Sequence, residues 1–370
     1  MTPHERVQCA LNHEKPDRTP MDLGGGVSTL TYGAYARLVR HLGIGNPQGR
    51  VGEFKVMVEI DEPVLESLGV DFRSVFLNPR DGWQPKNFPD GTFDDEWGIR
   101  FRDIGDYTEI VGHPLAGATL EDLSSFSWPD LTDKSRVKGL RQKAVAWHER
   151  GYALALGSVG GRVFEQAQWL RGMSRFLEDL VLNADFAEAL MDRLVVLQKD
   201  FFDNVLGEVG DVLEVVCLGD DLATQRGLLI SPDMYRRLIK PRQAEVCSRI
   251  KARTKAKIMH HSCGAVRPFI GDLIEIGVDI LNPVQPLASG MDRAELKKEF
   301  GRRVCFWGGV DEQKTLPFGS PGDVRREVHE AIESLGPDGG YVLSPAHNIQ
   351  PDVSPQNILA MYEACREKRL

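Results

Sequence analysis

Two histidines, one cysteine and one glycine follow a short apolar run in Lys257-Ile258-Met259-His260-His261-Ser262-Cys263-Gly264. If this run is a strand, it presents the imidazole and thiol of His261-x-Cys263 beside the N-terminus of the next helix, where a metal ion or an anion can bind. A second apolar run ends in Ser344-Pro345-Ala346-His347 and presents another imidazole. In one barrel the three side chains can meet. The two runs together favour a metal site over side chains that only pack in the core.

A pair of adjacent acids, Asp220 and Asp221, follows another apolar run. Carboxylates in such a position can act as general acid or base, accept hydrogen bonds from a polar substrate, or add ligands to a metal. Aspartate is also a preferred N-cap, so one of the two acids could instead cap the following segment. We predict both as catalytic residues and leave the capping role open for one of them.

Five further residues near predicted strand ends are candidates for substrate binding. Arg80 and Arg162 could hold an anionic group, although a surface ion pair is the structural alternative for Arg162. The glycines at 24–26 would let the backbone approach a ligand, or would form a tight turn. Trp307 could line a pocket or pack in the core. The predicted substrate-binding residues are Asp22, Asn78, Arg80, Arg162 and Trp307.

The candidate residues can form one site only if the strands that precede them end side by side. From residue 134 onwards, helical patterns alternate with short apolar runs bounded by glycine, asparagine or proline, which is typical of βα units and a parallel sheet. Eight strands in one chain predict an α/β fold, a TIM (β/α)8 barrel, whose chemistry lies on the loops after the strands. The opposite strand ends show no such cluster of side chains. The predicted strands are residues 17–23, 71–77, 152–156, 212–217, 257–259, 279–281, 304–307 and 341–343.

The rest of the chain adds to this barrel. A doubly wound open sheet is the alternative fold, but the sequence has neither a dinucleotide fingerprint nor a P-loop. Periodicity predicts N-terminal helices at residues 3–12, 32–42 and 61–68. Alternating apolar and charged residues at 91–117 predict a β-hairpin insertion after the second strand. We expect a single domain over residues 1–370, with approximately 90–133 inserted over the barrel mouth.

Composition and charge argue against several classes of protein. The chain of 370 residues is 42% hydrophobic, which is enough for a large core, and no apolar run approaches the length of a membrane span. The net charge of -9 is spread along the chain, which argues against nucleic acid and anionic membranes as partners. The N-terminus lacks the features of a signal peptide. We therefore expect a cytoplasmic enzyme whose cysteines are reduced.

Four segments carry a family resemblance across nearly the whole chain. They are Arg6-Val7-Gln8-Cys9-Ala10-Leu11, Pro16-Asp17-Arg18-Thr19-Pro20, His347-Asn348-Ile349-Gln350-Pro351-Asp352-Val353 and Pro355-Gln356-Asn357-Ile358. With them the chain resembles the uroporphyrinogen decarboxylase superfamily. The resemblance implies a TIM barrel. That family includes decarboxylases of the tetrapyrrole pathway and methyltransferases that move a methyl group between a corrinoid and a thiol.

The motif His261-x-Cys263-Gly264 is similar to the zinc motif of the methyltransferase branch, where a cysteine near the C-terminus completes the protein ligands. Here His347 stands in the matching context, and imidazole is a good zinc ligand. The resemblance thus implies Zn2+ bound by His261, Cys263 and His347. True decarboxylases carry an arginine-rich segment after the first strand, whereas this chain has Met21-Asp22-Leu23-Gly24, whose acid would repel a substrate with many carboxylates.

We therefore predict a zinc-dependent methyltransferase that acts on a corrinoid, free or protein-bound, and on a thiol or similar acceptor. A methoxylated aromatic compound or a methylated amine could serve as the methyl donor in a close variant. One alternative is a metal-free decarboxylase or lyase of a small acid or tetrapyrrole, with His347 in the substrate pocket. Another is a catalytically silent barrel that carries a corrinoid or tetrapyrrole. The predicted partners are a small-molecule substrate and a corrinoid protein, and the resemblance also allows a homodimer.

Overall fold

The structure is a computed structural model that describes residues 1–25, 27–52, 55–57 and 59–370. Within these residues there are eleven strands, and from residue 153 onwards each strand is followed by at least one helix. In chain order the strands are β1 (Phe72–Val75), β2 (Lys86–Asn87), β3 (Thr92–Asp94), β4 (Arg100–Asp103), β5 (Thr108–Gly112), β6 (Ala153–Leu156), β7 (Val215–Gly219), β8 (Lys257–His261), β9 (Ile280–Val284), β10 (Cys305–Val310) and β11 (Tyr341–Pro345).

The α-helices cover the outside of the sheet and both ends of the chain. In chain order they are α1 (Pro3–Leu11), α2 (Tyr32–Leu42), α3 (Glu62–Leu68), α4 (Asp122–Ser125), α5 (Leu140–Glu149), α6 (Phe164–Arg171), α7 (Met173–Leu182), α8 (Ala184–Val209), α9 (Pro232–Met234), α10 (Lys240–Lys251), α11 (Ile270–Glu275), α12 (Arg293–Phe300), α13 (Thr315–Phe318), α14 (Pro321–Leu335) and α15 (Pro355–Glu367). None of them, in the described part of the chain, is both long and apolar enough to cross a membrane.

Seven strands form one parallel sheet in the order β1-β6-β7-β8-β9-β10-β11. Their sequences are almost continuously apolar, as in β6 (Ala-Leu-Ala-Leu), because helices cover one face of the sheet and the barrel interior covers the other. The segment at residues 20–22 closes the gap between the two edge strands. Its Asp22 N–H donates to the carbonyl of Leu343, and its Met21 carbonyl accepts the N–H of Asp71. The predicted α/β fold of the TIM-barrel type is confirmed, with seven of the eight predicted strands in the sheet. The strand predicted at residues 17–23 is wrong, because this segment contributes to the sheet only the isolated bridge of Met21 with Leu343.

The barrel interior is a packed core. Its members come from alternate positions of the strands, with two more from α1, which lies under the amino-terminal strand ends, and one from the loop before α2. They are Val7, Leu11, Val27, Phe72, Ala153, Ala155, Val215, Cys217, Met259, Ile280, Cys305, Trp307 and Val342. A larger apolar cluster fills the layer between the strands and the surrounding helices. The packed interior leaves the carboxyl ends of the strands as the place where a polar site can form.

The helices and strands predicted in this comparison are found as the same type of element, but several begin or end at different residues. The helix predicted at 32–42 is found with the same bounds as α2. The hairpin predicted at 91–117 is larger than expected, because β2 adds a strand and makes an antiparallel sheet in the order β2-β3-β4-β5. Strands β8, β9 and β10 extend two to three residues beyond the predicted ends. Of the glycine run at 24–26, Gly26 lies outside the described residues, and the single-domain assignment stays a prediction.

Candidate metal centre and adjoining cavity

Three side chains meet at the carboxyl end of the barrel: His261 ends β8, Cys263 follows two residues later, and His347 follows β11. One ligand atom from each lies within 4.8 Å of the other two. The Sγ of Cys263 is 3.4 Å from Nε2 of His261, and the rings of His261 and His347 are 5.5 Å apart. Zinc bonds of 2.0–2.3 Å in a tetrahedron place ligand atoms roughly 3.3–3.6 Å apart. The distance between Cys263 and His261 therefore suits a zinc ion, and a ring nitrogen of His347 lies near enough to serve as a third ligand.

The imidazole of His261 is held in one orientation by Asn282. The parallel register aligns His261 with Asn282 of β9, and Nδ1 of His261 lies 2.6 Å from Oδ1 of Asn282. Because an amide oxygen only accepts hydrogen bonds, Nδ1 carries the proton and Nε2 is left with its lone pair. Second-shell contacts of this kind orient histidines that bind metals. Asn282 directly follows the strand predicted at residues 279–281, and no role was predicted for it from the sequence.

Protonation favours a cation at this position. Burial lowers the pKa of His347 to about 4 and lowers that of His261, so both imidazoles are neutral, the form that binds metals, at pH 7. Burial, followed by the nearby carboxylates Asp221, Glu312 and Glu165, raises the pKa of the Cys263 thiol. A divalent cation between these groups would relieve the repulsion that raises this pKa. The residues present thus fit a bound metal ion.

The two adjacent acids have different surroundings. Asp220 is fully buried, and its carboxylate accepts hydrogen bonds from the backbone N–H groups of residues 163, 164 and 165 at the start of α6 and from the side chain of Gln243. Asp221 instead faces the metal-ligand cluster, where its Oδ1 accepts the N–H of Cys263 at 2.8 Å. The capping role left open from the sequence falls to Asp220. We keep the catalytic prediction for Asp221 alone.

A cavity of about 720 Å³ lies beside the cluster, between the loops that follow β1 and β6 and the antiparallel sheet. Three of the predicted substrate-binding residues line it: Asn78, Arg80 and Arg162. The guanidinium of Arg80 is exposed and makes no hydrogen bond or ion pair with the described residues. The Nδ2 of Asn78 donates to the carbonyls of Ser135 and Lys138, so this side chain also holds the cavity wall in place. Aromatic side chains of the insertion and nearby loops, including Trp83 and Trp97, complete the lining.

Arg162 and Glu165 connect the cavity to the metal-ligand cluster. Arg162 lines the cavity, and its positive charge lowers the pKa of His261. Its Nε lies 3.0 Å from the carboxylate of Glu165. Burial raises the pKa of Glu165 more than Arg162 lowers it. Glu165 was not among the residues predicted from the sequence. The i,i+3 spacing of Arg162 and Glu165 after a predicted strand end was the signal that could have identified the pair.

The other two predicted substrate-binding residues lie in the barrel interior. Trp307 is 1% exposed and packs on Phe72 with 4.6 Å between ring centroids, so its side chain fills the core rather than the cavity. Asp22 is 2% exposed and interacts with Trp307, and its Oδ1 has no hydrogen-bond partner. Burial raises the pKa of Asp22 to about 7. Neither residue lines the cavity. Substrate binding by these two therefore stays a prediction without structural support.

Comparison with known proteins identifies the family. The family described as "Uroporphyrinogen decarboxylase (URO-D)" matches residues 152–368, which hold β6 to β11 and all three metal-ligand candidates. This chain belongs to that family. The match covers the part of the barrel in which His261, Cys263 and His347 meet.

The family members and the solved structure to which this chain is similar share only low sequence identity with it. The uroporphyrinogen decarboxylase of Chlorobium phaeobacteroides is 28% identical over 145 residues, or 38% of this chain and 39% of that protein's length. That of Chlorobium phaeovibrioides is 22% identical over 269 residues, or 67% of this chain and 69% of the other. A methyltransferase from Methanosarcina mazei is 19% identical, with a TM-score of 0.67 over 99% of both chains. At this identity the likeness shows the shared fold alone.

Proposed function

We propose that this chain is a zinc-dependent methyltransferase that moves a methyl group between a corrinoid and a thiol or similar acceptor. The observation that carries the proposal is the convergence of a ring nitrogen of His261, Sγ of Cys263 and a ring nitrogen of His347 within 4.8 Å of one another at the barrel mouth. Membership of the uroporphyrinogen decarboxylase family and a fold shared with a methyltransferase from Methanosarcina mazei support it.

His261, Cys263 and His347 would hold the zinc ion and leave one position open for a substrate. Bound there, zinc would lower the pKa of an incoming thiol and so supply a thiolate at neutral pH. The surrounding residues have their own tasks. Asn282 keeps Nε2 of His261 turned toward the cluster through its contact with Nδ1. Asp221, whose Oδ1 accepts the Cys263 N–H, is the carboxylate that we assign to take up the thiol proton.

The cavity beside the cluster would bind the methyl donor or the acceptor. Its aromatic lining provides flat apolar surfaces, and Arg80 and Arg162 offer positive charge for an anionic group. The methyl group would pass from the corrinoid to sulfur, the electron pair of the cobalt–carbon bond would stay on the corrinoid, and the proton of the thiol would pass to Asp221. The aromatic walls would restrict access of water to the reacting groups. We also propose that a separate corrinoid protein presents the corrinoid, and that the chain forms a homodimer.

Methylcobalamin mixed with a panel of thiols tests the proposal, because loss of the cobalt–methyl bond changes the visible absorption spectrum. We expect demethylation by the zinc-loaded chain and a loss of at least about 100-fold in Cys263→Ser, since a missing metal ligand removes the activating group. Cys9→Ser, at a partly exposed position far along the chain, is the matched control. Absence of turnover with every thiol and with a pterin acceptor, or full activity of Cys263→Ser, would contradict it.

A second candidate is a decarboxylase or lyase that needs no metal. The guanidinium groups of Arg50, Arg80 and Arg162 all line the cavity and could hold substrate carboxylates. The curated relatives from Chlorobium species are named uroporphyrinogen decarboxylases. Release of carbon dioxide from a candidate acid distinguishes the two functions. If the rate is unchanged by chelator and falls in Arg80→Ala, the decarboxylase proposal replaces the methyltransferase proposal.

A further inference from the structure

A second group of metal-ligand side chains lies at the other end of the barrel, where the strands begin. His4 is in the first turn of α1, His148 is in the last turn of α5, and Glu214 directly precedes β7. We expected no such cluster at these strand ends from the sequence, and this expectation is wrong. The three residues are more than 60 positions apart along the chain, so only folding brings them together.

Their geometry resembles that of the first cluster. One ligand atom from each of His4, His148 and Glu214 lies within 4.8 Å of the other two. The imidazole rings of His4 and His148 meet edge to face, with 5.0 Å between centroids. The Nδ1 of His4 is 3.0 Å from Oε1 of Glu214. The other oxygen of Glu214 accepts the N–H of Leu154 at 2.5 Å, which fixes the carboxylate in this position.

One imidazole of this cluster has an unused ring nitrogen. The Nδ1 of His148 is buried and has no hydrogen-bond partner among the described residues, whereas the buried Nδ1 of His4 faces the carboxylate of Glu214. A buried polar atom without a partner is unfavourable, so native proteins seldom leave one. A bound cation that accepts an electron pair from each ring would satisfy His148 and link it to His4 and Glu214.

An ion pair between His4 and Glu214 is the simpler explanation of their 3.0 Å contact. That pair leaves the buried Nδ1 of His148 without a partner, although this ring meets the ring of His4 edge to face. A cation bound by all three side chains accounts for the position of His148 as well.

We propose that His4, His148 and Glu214 bind a divalent transition-metal ion of the zinc type. Two imidazoles and one carboxylate are a ligand set that zinc uses, and a water molecule can complete the coordination. The ion would connect α1 to the end of α5 and to the start of β7. Because Val7 and Leu11 of α1 belong to the barrel interior, this connection would stabilise the closed amino-terminal end of the barrel. This site does not depend on the proposed methyltransferase activity.

Cobalt(II) chloride is a suitable probe, because a cobalt site with a thiolate ligand has an intense near-ultraviolet band that a site of histidine and carboxylate lacks. The test uses the full chain without a histidine tag, in a Cys263→Ser background that removes the first cluster. We expect this variant to bind about one cobalt per chain without the thiolate band, and cobalt to raise its Tm. Adding His148→Gln or His4→Gln should abolish both effects.

His41→Gln, which changes an exposed histidine of α2, is the matched control and should leave both effects unchanged. Circular dichroism of the metal-free proteins checks that each variant is folded. The proposal is overturned if Cys263→Ser binds no cobalt, or if His4→Gln and His148→Gln bind cobalt as tightly as the His41→Gln control. Failure of methyl transfer with normal cobalt binding in Cys263→Ser would affect only the proposed function.

Discussion

The Nδ1 of His261 donates its proton to Oδ1 of Asn282 across 2.6 Å, and this contact leaves Nε2 of the same ring 3.4 Å from Sγ of Cys263. The two residues are neighbours in the register of β8 and β9, so the orientation of the imidazole follows from the pairing of two barrel strands. An imidazole held in this way needs little further ordering when it binds a metal ion.

Asn282→Ala should weaken zinc binding by about 10–100-fold, because loss of an outer contact frees the His261 ring. Competition with a chelator of known affinity measures the change. Ser28→Ala is the control, since the Ser28 hydroxyl contacts Asn282 through the amide nitrogen, at 3.4 Å, and its loss leaves the amide oxygen in place. Equal zinc affinity of Asn282→Ala and Ser28→Ala would contradict a role for this contact.

Cys263→Ser should lower the zinc content of the purified chain by about one ion per chain, because a serine hydroxyl is a much poorer zinc ligand than a thiolate. Elemental analysis of protein that has never been exposed to chelator provides the measurement. Cys9→Ser should retain the zinc content of the unmodified chain. If the variant at 263 and the control at 9 contain equal zinc, these three residues do not form the metal site.

Asp220→Ala should lower the stability of the fold, whereas Asp221→Ala should lower activity. Removal of the Asp220 carboxylate leaves the N–H groups at the start of α6 without an acceptor, which should lower the free energy of unfolding by about 2–4 kcal/mol. Asp221→Ala should change it by less than about 1 kcal/mol and instead reduce turnover. Urea unfolding and the methylcobalamin assay separate the two effects. The opposite pattern would return the catalytic role to Asp220.

Asp22→Asn should make stability less dependent on pH. The pKa of Asp22 rises from 3.8 to about 7 because burial disfavours its charge. The folded state therefore binds the Asp22 proton more tightly than the unfolded state does. The stability that this proton contributes is fully present below about pH 4 and is lost as pH rises through 7. The loss reaches at most about 4 kcal/mol at pH 8. Asparagine does not titrate, so its advantage over aspartate in urea unfolding should grow from pH 5 to pH 8.

The outcome for Asp22 depends on comparing the two chains across the pH range. If Asp22→Asn and the unmodified chain lose stability in parallel between pH 5 and pH 8, the carboxyl does not titrate with a raised pKa. Cobalt or zinc should be absent from these measurements, because metal binding at either cluster adds a pH dependence of its own.

Local sequence determined the strands and the end of the barrel at which chemistry is expected. Apolar runs bounded by glycine, asparagine and proline identify strands through short-range pattern alone, and parallel strands of a barrel all end on the same side. For that reason His261, Cys263 and His347 could be predicted to meet from three positions in the sequence. The bounds of α2 were also predictable, since its apolar residues recur with helical spacing.

Tertiary structure alone decided the direction and the surroundings of each side chain. Adjacent residues at a strand end point to different sides, so the packing of α6 made Asp220 a cap and left Asp221 at the mouth. Trp307 points into the packed interior of the barrel, so its side chain lies in the core and not in the cavity. The cluster of His4, His148 and Glu214 leaves no pattern in the sequence, because its members belong to three elements that become neighbours only when the barrel closes.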